Sequence, residues 1–149
     1  MTGGAYADLV ASYLSRRFSS RGLKVYREIR VGKSIIGKNR TVDVLCVCES
    51  AGRAFAIECK FQDSPGTVDE KIPYALDDLR ATPMSGCIAY AGGGFSAGVL
   101  HMLAASPDAA FCLPVPGQTC STADTWELDH RIAMHFGWWD VLVGRRQPV

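Results

Sequence analysis

The chain has 149 residues, 48% hydrophobic and 21% charged, and its 16 basic and 15 acidic side chains leave a formal net charge of +1. This length fits one domain, residues 1–149, which can bury roughly two thirds of its unfolded surface without staples. The composition excludes the disordered class, a polycationic coat and an acidic solvating tail, and the near-zero net charge on its face counts against a nucleic-acid partner.

Residues 1–17 place their positive charge after the apolar residues and lack an uninterrupted apolar stretch, unlike a signal peptide. No apolar run approaches the roughly 20 residues that span a bilayer. Both features predict a soluble, cytoplasmic protein with no membrane partner. Residues 5–19 read as an amphipathic helix with Leu9, Val10, Tyr13, Leu14 and Phe18 on one stripe, ended by the Ser-Ser-Arg-Gly turn at 19–22. Residues 23–31 read as a strand with apolar and basic positions interleaved, and 32–39 as a loop bearing glycine and lysine. Two apolar strands, 41–49 and 53–61, flank a tight turn and predict a hairpin. A helix over 69–80 follows, with Pro73 expected in its first turn. A short buried strand at 87–91 leads into Gly92-Gly93-Gly94, then a helix at 98–105, a strand at 110–115 and a covering helix in the tail. The order α-β-β-β-α-β-α-β predicts an α/β fold with a mixed sheet flanked by helices.

Six cysteines sit mostly inside apolar runs such as VDVLCVCES and AFCLPV, which predicts buried free thiols rather than a disulfide framework. Cys46 and Cys48 form C-x-C, not the C-x-x-C of a zinc site, and no cysteine–histidine pairing nearby completes four ligands.

The residues that carry chemistry lie on the hairpin. Glu58 and Lys60 share one face of their strand, while Cys59 points to the other. If Cys48 pairs with Arg53 across the turn at 49–52, Asp43 stands directly opposite Glu58, with Cβ atoms roughly 4.5–5.5 Å apart. Two such carboxylates repel unless a proton or cation separates them, and both lie in apolar strands where an unpaired charge is costly. A hard divalent cation held by both carboxylates, a backbone carbonyl and waters resolves the conflict, and Mg2+ fits that donor set. The Cys59 carbonyl is the expected third protein ligand. Lys60 can contact a phosphate, activate a water or stabilise transition-state charge, so the constellation describes metal-assisted phosphodiester hydrolysis. The plainer reading is a cross-strand salt bridge at a sheet edge. The apolar strand that E-x-K closes, the opposed Asp43 and the helix-strand flanks favour the site.

VDV around Asp43 and AIECKF with Glu58 and Lys60 resemble the motif of the PD-(D/E)xK nuclease superfamily, the restriction-endonuclease-like fold. Val42 stands where the family's name has Pro. The resemblance covers about residues 5–92, the family's αβββαβ core, and leaves 93–149 as a C-terminal extension. The stretch SPGTVDEKIPYALDDL is also similar to one in some phage and restriction-modification members. The resemblance implies a Mg2+-dependent nuclease, Mn2+ also serving, with Asp43 and Glu58 as metal ligands and Lys60 catalytic. It also suggests an acidic residue from the first helix, for which Asp8 is available. Glu70 and Lys71 read as a solvated first helical turn, with Glu70 favourable near the helix N-terminus.

Competing signals are weaker. Gly92-Gly93-Gly94 fits G-x-G-x-x-A formally and would make a nucleotide-binding turn, but it follows a late strand and lacks the acidic residue about 20 positions on. A strand-to-helix turn is the preferred reading. His101 reads as a partly buried helix residue, and His130 and His135, five apart, do not share a helical face. The aromatic residues of 126–142 read as core cover or a dimer surface.

The charge is segregated along the chain. From Arg16 to Arg40 there are nine basic residues and one acid, Glu28, whereas from Asp43 to Arg80 eight acids face four bases. A basic first third beside a carboxylate-bearing hairpin suits a phosphate backbone, probed by Arg27, Arg30, Lys33, Lys38 and Arg40. The expected function is a metal-dependent nuclease acting on DNA, with a homodimer or partner protein supplying any strong specificity. The alternatives are a non-catalytic nucleic-acid-binding or assembly module on the same fold, and a nucleotide-binding protein.

Overall fold

The computed structural model describes residues 1–34 and 36–149. Helix α1 (Gly3–Phe18) is capped by Thr2, whose hydroxyl accepts from the Ala5 N–H at 3.1 Å. It begins two residues before the predicted start and buries Tyr6, Val10, Tyr13, Leu14 and Phe18, the expected stripe with Tyr6 added and Leu9 only half-buried. The chain then forms β1 (Leu23–Lys33), β2 (Asn39–Cys48) and β3 (Arg53–Phe61). Both hairpin strands extend further into the 32–39 loop than the sequence pattern suggested. Helix α2 (Val68–Arg80), β4 (Gly86–Ala91), α3 (Ala97–Ala105) and β5 (Ala109–Phe111) follow, then α4 (Trp126–Phe136) and the short α5 (Trp139–Val143).

The strands form one sheet in the order β1-β2-β3-β4-β5. The two hairpins are antiparallel, whereas β3-β4 and β4-β5 are parallel and joined through α2 and α3. Side-chain alternation divides the apolar residues between two faces. Cys46, Ile57, Cys59, Ala89 and Ala110 pack with α1 and α4; Ile88, Tyr90 and Ala109 pack with α2 and α3. This is the mixed α/β sheet flanked by helices that the element order predicts.

Three local expectations change. Pro73 lies in the second turn of α2, and the helix continues because its missing N–H removes a single bond near the N-terminus. His101 is exposed, since α3, apolar apart from His101, buries only Leu103. Strand β5 stops at Phe111: the Cys112 N–H still donates to the Tyr90 carbonyl of β4 at 3.1 Å, but the Leu113 N–H turns to the Asp124 carbonyl at 2.7 Å, and Phe111 N–H donates to the Glu127 carboxylate at 2.8 Å. Five of the six free cysteines are buried and Cys120 is exposed. Trp138 covers the core, stacked on Phe136 at 5.0 Å, while Trp126 and Trp139 are exposed.

Candidate active site

The hairpin register is the predicted one. Pairs run from Cys48↔Arg53 to Val44↔Ile57, and the next step sets Asp43 across from Glu58. There the ladder passes to a side chain: the Cys59 N–H donates to Asp43 Oδ2 at 2.8 Å. Val44, Ile57 and Cys59 turn toward α1, so Asp43, Glu58 and Lys60 turn toward α2. The Glu58 carboxyl is pushed up to about 8 by its burial and by the nearby Asp43 carboxylate; Lys60 opposes the shift. The juxtaposition is thus close enough for one carboxyl to hold a proton near neutrality.

Asp43 is also braced through its backbone. Its carbonyl accepts from the Arg27 guanidinium at 2.6 Å, and Arg27 Nε donates to Asp8 at 2.8 Å. The structure therefore engages Asp8 with Arg27 on the α1 side and does not bring it to Glu58 and Lys60. Arg27 is occupied likewise, and it braces a proposed ligand rather than standing free on the surface.

A cavity of about 300 Å³ opens over Glu58 and Lys60, lined also by Arg40 and Asp78 and by Lys71 and Tyr74 of α2; Asp43 lies outside its lining. Arg40 is only 6% exposed, ion-paired with Asp78 at 2.8 Å and donating to the Thr82 hydroxyl. It ties β2 to α2 instead of projecting toward a phosphate backbone. Arg30, Lys33 and Lys38 are exposed, with Lys33 donating to Asn39 Oδ1 at 2.9 Å. The basic first third is largely balanced in space, because Arg17, Arg21, Lys24, Arg27 and Arg40 all have acidic partners.

Lys71 and Asp78, the latter grouped with Asp77 and Arg80, read from sequence as solvated helix positions but line the cavity, and Tyr74 escaped notice; helical spacing from Lys71 (i+3 and i+7) was the available signal. Gln62 also escaped it, although it lies two residues past Lys60. Its buried amide accepts from the Val68 N–H at 3.0 Å and donates to the Gly94 carbonyl at 2.9 Å, joining the end of β3 to α2 and the glycine turn. A Cβ on Gly92 would lie 2.2 Å from the Gln62 carbonyl oxygen, and one on Gly94 2.4 Å from the Ser64 nitrogen. Gly92 and Gly94 thus permit close backbone packing, which accounts for both without a nucleotide.

Among the described residues no group of three His, Cys, Asp or Glu side chains converges as a metal cage. Two adjoining carboxylates, one disfavoured as an anion, fit a hard cation that completes its shell with carbonyl oxygen and water.

No curated protein matches this chain. A solved structure described as a protein of unknown function, AF1548, is similar at 14% identity and a TM-score of 0.42, covering 66% of this chain. The present chain spans about half (53%) of that protein's length. A family model described as a PD-(D/E)XK nuclease superfamily domain matches residues 2–139. With the mixed sheet and the predicted hairpin register in place, the chain belongs to the PD-(D/E)XK nuclease superfamily.

Proposed function

We propose that residues 1–149 form one nuclease domain that hydrolyses phosphodiester bonds in DNA with Mg2+, or Mn2+ in its place. The observation that carries this reading is the register that sets Asp43 across from Glu58, with Lys60 on the same face beside a cavity. Asp43, Glu58 and the Cys59 carbonyl would hold the metal, which when bound would polarise the phosphate and acidify a water. Lys60 would orient that water or stabilise charge growing on the phosphate oxygens. Arg30, Lys33 and Lys38, exposed along β1 and the following turn, would meet neighbouring phosphates and make affinity salt-sensitive.

Five buried free thiols fit a reducing compartment, hence the cytoplasm. No helix among the described residues is long and apolar enough to cross a membrane. Plasmid and single-stranded DNA incubated with Mg2+ or chelator test the reading. Wild type should cut only with metal, and Glu58→Ala and Lys60→Ala should not. Metal-independent cutting, or equal cutting by both variants, would sink it in favour of a binding module.

A further inference from the structure

The cavity over Glu58 and Lys60 has a second wall that hydrolysis itself does not use. Lys71 and Tyr74 stand three residues apart on α2, so they share a helical face. Lys71 has no ion-pair partner among the described residues, and Tyr74 is 45% exposed, its ring open to contact. Beside them, Arg40 is more than nine-tenths buried and spends two of its guanidinium nitrogens on Asp78 and Thr82. Its Nε has no partner among the described residues, nor does the Ser34 hydroxyl on the same wall. Four buried side-chain polar atoms lack a partner among the described residues, and two of them line this cavity. Both atoms are screened from solvent, so the wall meets a ligand through the exposed Lys71 and Tyr74. The lining cations Arg40, Lys60 and Lys71 also outnumber the lining carboxylates Glu58 and Asp78.

We propose that this wall is a nucleotide subsite, in which Lys71 holds the phosphate next to the reacting one and Tyr74 carries the face of a base. The proposal rests on the nuclease reading above and names its substrate class: a single strand or strand end rather than continuous duplex. The size of the cavity, about 300 Å³, suits a single nucleotide. A paired base keeps both faces covered by its stacking neighbours, so a base lying on Tyr74 is an unstacked one. Base–aromatic stacking of this kind tolerates any sequence.

The test is fluorescence anisotropy with a short fluorescein-labelled oligothymidylate and the matching duplex, in chelator, across a salt series. Wild type should bind the single strand more tightly. Lys71→Ala should weaken binding several-fold and flatten the log–log salt slope by about 0.7, the signature of one lost single-strand phosphate contact. Tyr74→Ala should weaken binding about fivefold or more without changing the slope, while Tyr74→Phe retains it. Both residues are exposed, so melting curves should match wild type. Preference for duplex, no binding by wild type, or unchanged binding and slope in the alanine variants overturns the subsite. Metal-dependent cutting is scored separately on the same preparations. Cutting without these binding effects removes the subsite and keeps the nuclease, whereas these binding effects without cutting do the reverse.

Discussion

Replacing Glu58 by Gln should stabilise the metal-free protein, and the gain should depend on pH. The Glu58 carboxyl stands at about 8 in the folded protein against an ordinary value of 4.5, because burial and Asp43 oppose its charge. Folding therefore takes up a proton that the unfolded chain has released. The penalty is absent below pH 4.5, grows as pH rises through the interval to 8, and is constant above it. At about 1.4 kcal/mol per pH unit, the unscreened penalty at pH 7 is about 3 kcal/mol. Part of the side chain still meets water, which screens the penalty, so the expected gain is about 1–2 kcal/mol. Gln cannot ionise, and its neutral amide can stand in for the protonated carboxyl beside Asp43. Thermal melts of both proteins in chelator at pH 5, 6, 7 and 8 should diverge with rising pH, the variant melting roughly 2–8 °C higher at pH 7. Mg2+ needs the ionised carboxylate, so at ten times its Kd it should stabilise the wild type by about 1.4 kcal/mol, raising its midpoint, and leave the variant unmoved. A difference between the two proteins that stays the same from pH 5 to pH 8 would refute the reasoning.

Other perturbations probe the surroundings of the pair. Lys60→Ala should lower metal-dependent cleavage by about a hundredfold or more with little change in melting temperature, measured on plasmid substrate. Asp78→Ala strands the buried Arg40 guanidinium and should cost about 2–4 kcal/mol in urea denaturation. Gly92→Ala should cost about 3 kcal/mol or more, because the new methyl meets the Gln62 carbonyl in a left-handed backbone, whereas Gly93→Ala, with nothing within 4 Å, should cost less than about 1 kcal/mol. A thiol reagent should label Cys120 at once in the native protein and the five buried cysteines only on unfolding.

The parts of this fold that were legible in the sequence are those governed by short-range rules. The turn at 49–52 fixes the hairpin register, and register fixes which residues face one another, so the Asp43–Glu58 opposition followed from counting. The E-x-K spacing put Glu58 and Lys60 on one face by alternation alone. What escaped is set by contacts distant in sequence. Nothing around Arg40 announces that Asp78, 38 residues on, will bury it, and a basic residue beginning a strand reads as solvated. Arg27 looked like a free cation because its partners, Asp8 on α1 and the Asp43 carbonyl, meet it only through packing. His101 misled in the opposite sense: an apolar helix suggested burial, but α3 presents most of its apolar residues to the surface.

The same contacts explain how a buried carboxylate pair is held in place. In the β1–β2 ladder Arg27 pairs with Val44 and Ile29 with Val42, while Glu28, across from Asp43, drops out with φ at 55°. It is the one non-glycine residue among those described with a positive φ, a conformation costing about 1–2 kcal/mol. The irregularity falls where the Asp43 carbonyl takes its hydrogen bond from the Arg27 side chain instead. On the other flank, the β2–β3 ladder ends at Val44–Ile57, and the Cys59 N–H turns to the Asp43 carboxylate. Asp43 thus occupies a break in both ladders, fixed by one donor to its carbonyl and one to its carboxylate. A residue bonded regularly on both sides would have its backbone fixed and its carboxylate free to turn from Glu58. Here Cys59 anchors one carboxylate oxygen, which holds the group against Glu58 despite their repulsion. The strain at Glu28 and the basic charge spent at Arg27 both serve that placement, and part of the basic first third is therefore scaffold for the carboxylates rather than a surface for nucleic acid.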